Sequence, residues 1–113
     1  LASSITGASV TRASGGAGGG NADTPQVSAG GGSNNQSNAT ANTGGGGGGA
    51  SNLPTPATSI GRNGGSGVVI LRYPSVYTIT VGAGITQSSG SPFTEGSDKV
   101  SVFTAGTGTI SFS

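Results

Sequence analysis

The chain is predicted to be all-β and helix-free, with polyglycine-II-like glycine-rich segments, short strands and a C-terminal β-hairpin. Three observations predict this. Glycine supplies 25 of 113 residues, about three times its usual share. Residues 44–49 are six consecutive glycines, and a segment without Cβ atoms packs as neither helix nor ordinary strand. After position 67, the apolar residues fall into short β-branched or aromatic runs bounded by Gly and Pro, with no stretch of helical period.

The elements follow in order. Ser4-Ile5-Thr6-Gly7-Ala8-Ser9-Val10-Thr11-Arg12 alternates around a glycine and predicts one or two short paired strands. Glycine-bearing tracts follow at 15–20, 30–32, 44–49 and 61–67, separated by polar spacers at 21–29, 33–43 and 50–60. Tract and spacer alternate loosely, as in an imperfect internal repeat. Glycine- and serine-rich sequence of this kind is either flexible linker or a stack of extended helices with three residues per turn. Such helices make no internal hydrogen bonds, so every tract must find a neighbour, and only glycine lets backbones approach closely enough.

Val68-Val69-Ile70-Leu71, bounded by Gly67 and Pro74, predicts a buried strand or the centre of an interface. Tyr77, Ile79 and Val81 alternate with Thr78 and Thr80, which predicts a half-exposed strand ending at Gly82-Ala83-Gly84. Residues 87–98 read as a longer polar connection. Residues 100–104 and 109–112 flank Ala105-Gly106-Thr107-Gly108 and predict the C-terminal hairpin, with a four-residue loop.

Large apolar residues are unevenly placed. Six precede Gly67 and sixteen follow it, including Tyr73, Tyr77, Phe93, Phe103 and Phe112. This set is small against the entropy of ordering the chain, so self-association is expected, as a trimer or another homo-oligomer. The chain begins at Leu1, and it is expected to have been cut from something longer.

Composition excludes most chemistry. There is no His, no Cys, and only three carboxylates, Asp23, Glu95 and Asp98. General acid–base catalysis, nucleophile activation and metal binding all need more, so no enzyme activity is expected and no catalytic, metal or cofactor residue is assigned. Glu95 and Asp98 read as solvated loop charges. Gly44, Gly46 and Gly49 satisfy G-x-G-x-x-G, as any hexaglycine does, without the flanking strand and helix that give the pattern meaning. Asn35-Gln36-Ser37 and Asn38-Ala39-Thr40 match the N-glycosylation pattern, which arises easily by chance in such a spacer. Arg72 beside Tyr73 is either a sugar-stacking pair or, as the blander reading, a charge closing a strand end. A net charge of +1 without a basic stripe argues against nucleic acid. An apolar run of four residues is too short for membrane insertion.

Two strings carry a family resemblance. Ile5-Thr6-Gly7-Ala8-Ser9-Val10-Thr11-Arg12-Ala13 leading into a glycine tract, and Gly64-Gly65-Ser66-Gly67-Val68-Val69-Ile70-Leu71-Arg72-Tyr73-Pro74, resemble the C-terminal portion of the glycine-rich domain of bacteriophage tail-fibre and virion appendage proteins. Residues 103–112 are similar to a terminal hairpin that follows this domain. The resemblance implies a glycine-rich domain at 1–74, incomplete at its N-terminus, and a small C-terminal β segment at 75–113. It also implies a structural, adhesive component of an extracellular virion, with rigid scaffold from Gly44, Gly45, Gly46, Gly47, Gly48, Gly49, Gly64, Gly65 and Gly67. Candidate receptor contacts, to a host cell-surface glycan or protein, are Asn34, Asn35, Asn38, Asn42, Asn52 and Leu53 in the spacers. The alternative is a bacterial extracellular fibril or surface-matrix subunit.

Overall fold

A computed structural model describes residues 1–17, 37–50 and 60–113. The described residues are helix-free, and their strands form small antiparallel sheets. By contacts the chain divides into two units. One comprises Leu1–Ala2 and Thr11–Gly67, the other Ser3–Val10 and Val68–Ser113.

The first strands are β1 (Ala2–Thr6) and β2 (Ala8–Thr11), which pair with each other. The turn between them is the glycine the alternation pointed to, with Gly7 N–H donating to the Ser4 carbonyl at 2.9 Å.

In the second unit β7 (Asp98–Gly106) is central. It pairs on one edge with β3 (Val69–Pro74) and on the other with β5 (Ile85–Gln87) and β6 (Phe93–Glu95). The alternating, β-branched sequence of residues 99–104 suits a strand covered on both faces, and Val100 and Ser101, on opposite faces, are fully buried. Ser101 needs a partner there, and its Oγ lies 3.1 Å from the hydroxyl of buried Tyr73. Phe112 meets the Tyr73 ring edge-on, with centroids 5.0 Å apart. Among the described residues, Tyr73, Val100 and Phe103 are the buried hydrophobic ones.

Three expectations are corrected. The run at 68–71 is not a buried strand, because β3 is an edge strand and Val69 is 58% exposed. The connection at 87–98 is not a plain loop. β5 and β6 form one broken arm along β7, interrupted at residues 88–92, where Ser88 N–H donates to the Val102 carbonyl at 2.8 Å and Ser91 Oγ accepts Val102 N–H at 2.8 Å. Gly96-Ser97 closes this arm onto β7 as a two-residue turn between paired Glu95 and Asp98, with Gly96 at φ +63°.

The C-terminal hairpin is the third correction. β8 (Ile110–Phe112) pairs not with β7 but with β4 (Ile79–Val81). Residues 106–109 cross close to the backbone of 82–84 instead of turning tightly: Gly82 N–H donates to Thr109 at 3.0 Å and Thr107 N–H to Gly84 at 3.1 Å. A Cβ on Gly106 would fall on the Gly84 carbonyl oxygen. With the short Gly96-Ser97 turn supplying β7 with its hairpin partner, the terminal strand is free to add to β4. The half-exposed alternation of β4 is as expected.

Candidate functional site

Within the first unit the hexaglycine has three neighbours, residues 13–17, 37–40 and 62–66. On the first side, Ala13 N–H donates to Thr43 O, Gly46 N–H to Ser14 O and Gly49 N–H to Ala17 O, at 2.7–2.9 Å. The contact positions are 43, 46 and 49 on one segment and 13, 14 and 17 on the other. On the third side, Arg62 N–H donates to Gly48 O and Gly65 N–H to Gly45 O, again three residues apart. Gly44 N–H donates to Ser66 O, and Gly48 N–H reaches Ser37 O at 3.3 Å. A three-residue interval recurs, at 43, 46 and 49, at 14 and 17, at 45 and 48, and at 62 and 65, while Ala13 and the Gly44–Ser66 contact fall outside it.

Close approach explains why these positions are glycine. A Cβ on Gly16 would fall on the Gly47 carbonyl oxygen, and a Cβ on Gly47 on that of Arg62. Such carbonyls occupy the acceptor position of Cα–H···O contacts. The expected scaffold residues differ in this respect. A Cβ on Gly65 would fall on the Thr40 carbonyl oxygen, one on Gly46 would lie 2.8 Å from Gly16 N and one on Gly64 3.2 Å from Gly45 O, whereas one on Gly44 or Gly67 would meet open space.

Of the candidate contact residues, Asn38 and Asn42 are described and exposed. Asn34, Asn35, Asn52 and Leu53 lie outside the described residues, as does the tract at 30–32. Asn38 Oδ1 accepts Asn63 N–H at 3.1 Å. Asn42, at φ +61°, donates its N–H to Ser66 Oγ at 2.9 Å, and Ser66 donates its hydroxyl back to Asn42 Oδ1 at 3.1 Å. Thr43 Oγ1 donates to Thr40 O at 2.6 Å and accepts Gly45 N–H at 3.3 Å. Asn42 therefore pins the turn that delivers the chain into the hexaglycine, and Asn38 ties the segment before that turn to Asn63. Asn63 and Ser66, their partners, were not singled out by sequence. The signal that marks them is their spacing of three residues in a glycine tract.

A family model described as a glycine-rich domain matches residues 2–74. The chain belongs to that glycine-rich domain family. Comparison with curated proteins and with solved structures gave no match. The glycine-rich domain match spans the hexaglycine and its three neighbours, together with β1, β2 and β3.

Beyond the glycine-rich domain's tracts, the charged residues are in structural positions. Arg72 Nε donates to Asp98 Oδ2 at 2.8 Å. Because Tyr73 is buried under Phe112, Arg72 closes a strand end and makes no sugar-stacking pair with it. Glu95 and Asp98 are not loop charges: they face each other as the last and first residues of β6 and β7. Among the described residues, no three of Asp, Glu, His and Cys come together, and no helix is long and apolar enough to cross a membrane.

Proposed function

We propose that this chain is a structural, non-enzymatic component of a phage tail fibre or virion appendage, in which the glycine tracts form a rigid scaffold and the spacers meet the host surface. The observation that carries the reading is the three-residue interval of hydrogen bonding around the hexaglycine. That interval is the repeat of a polyproline-II-type helix, and we read the tracts as a small polyglycine II lattice. A lattice of bare backbone presents no chemistry of its own, which suits display. In this reading Asn38 and Asn42 hold the display turns in shape, while recognition belongs to other spacer side chains, with carbohydrate hydroxyls as suitable partners for Asn and Ser.

The test is retention of the labelled chain on host cells, together with immunogold labelling of intact particles. Retention that is lost when residues 33–37 are replaced by Gly/Ser, with glycine amide protection unchanged, is the expected result. Particles without label, or retention indifferent to the spacers, would overturn it. A free extracellular fibril is the second reading, favoured by the outer edge of β3, which pairs with no other described strand. Open-ended polymers of the purified chain would support it.

A further inference from the structure

The chain has seven asparagines, and only Asn63 is followed by glycine. Asn63 and Gly64 are both exposed. The Asn63 main chain is held on both sides, its N–H by Asn38 Oδ1 at 3.1 Å and its carbonyl by Ala39 N–H at 3.0 Å. The flanking amides of Arg62 and Gly65 donate to Gly48 and Gly45 of the hexaglycine. The Gly64 N–H, between them, makes no hydrogen bond among the described residues, and no Cβ screens it. We infer that Asn63-Gly64 is a site of spontaneous intramolecular deamidation, and that its iso-aspartyl product uncouples this tract from the hexaglycine.

The step needs only water. The Gly64 amide nitrogen, placed next to the side chain by the peptide bond itself, attacks Asn63 Cγ. An N–Cγ bond forms, the Cγ–Nδ2 bond breaks, and the amide proton of Gly64 leaves with the side-chain nitrogen as ammonia. Nothing is oxidised or reduced. Water then opens the cyclic imide at one of its two carbonyl carbons. Opening at Cγ restores the original main chain with Asp in place of Asn. Opening at the main-chain carbonyl routes the backbone through Cγ, adds a methylene to it, and turns the Asn63 carbonyl that accepts from Ala39 into a pendant carboxylate.

That product is incompatible with the lattice for a geometric reason. Arg62 and Gly65 reach Gly48 and Gly45 because both tracts repeat every three residues. An extra backbone carbon between 62 and 65 puts the two donors out of step with acceptors whose spacing has not changed.

The test incubates the whole chain in mildly alkaline buffer and follows each asparagine by peptide mass spectrometry, with fragmentation that separates iso-aspartate from aspartate. Hydrogen exchange at Arg62 and Gly65 is read on the converted and unconverted fractions. Asn63 should lose its amide before the other six asparagines, mainly to iso-aspartate, and the converted fraction should lose protection at both amides. Asn63→Gln keeps every main-chain donor and acceptor but would have to close a larger ring, so it should stay unconverted and protected. The inference is overturned if Asn63 keeps its amide while other asparagines convert, if aspartate is the sole product, or if converted chains keep protection at 62 and 65.

Discussion

Replacing Gly47 with alanine sets two effects against each other. Where the backbone and the space allow it, Gly→Ala stabilises by about 0.4–1 kcal/mol, through the entropy of the unfolded chain. At Gly47 the new Cβ would fall on the Arg62 carbonyl oxygen and lie 2.8 Å from the Asn63 carbonyl carbon. Both are main-chain atoms, so the tracts must part. Three hydrogen bonds join them: Gly44 to Ser66, Arg62 to Gly48 and Gly65 to Gly45. At roughly 1 kcal/mol each their loss exceeds the entropic gain, leaving this contact about 2 kcal/mol weaker. Amide exchange at Arg62 and Gly65 should then quicken by about 30-fold. Gly61→Ala is the control, because nothing lies within 4 Å of its Cβ position, and exchange there should be unchanged or slower. If the two variants exchange alike, the close packing of bare backbone is not what orders these tracts.

Three further outcomes are expected. Tyr73→Phe or Ser101→Ala alone strands a buried hydroxyl and should cost about 1–3 kcal/mol in urea unfolding, whereas the double variant should cost less than the sum; strict additivity would show the hydroxyls are not coupled. Asp98→Asn should cost less than about 1 kcal/mol, because Arg72 and Asp98 are 35% and 29% exposed and solvent screens the pair; a larger loss that persists in high salt would contradict this. Gly96→Ala forces a Cβ into a φ of +63° and should lower stability by about 1–2 kcal/mol, read from thermal unfolding; a wild-type midpoint would mean the turn adapts freely.

What was legible in the sequence was legible for local reasons. Alternation around Gly7, the β-branched run before Pro74 and the alternation through Ile79 and Val81 each became a strand at or near the expected place, because side-chain period and breakers act within a few residues. The turn at Gly96-Ser97 was also written in the chain, as a Gly-Ser pair between strand-forming residues, but the surrounding serines and charges masked it as loop. The partner of β8 was not legible. Ala105-Gly106-Thr107-Gly108 is as good a local hairpin loop as any in the chain, and it lost because β7 already had neighbours on both edges. That Asn38 and Asn42 also hold backbone is not legible in the sequence, and only their bonds to Asn63 and Ser66 reveal it.

The sequence by itself determined that the chain would be helix-free and glycine-dominated, since residues without Cβ atoms and short β-branched runs leave no amphipathic helical face. Which backbone lies against which was decided by the tertiary structure. A glycine carries no side chain to specify its neighbour, so six identical residues offer every register equally. Only the turns pinned by Asn42 and Ser66, and the spacing of the carbonyls that Gly16 and Gly47 approach, select one.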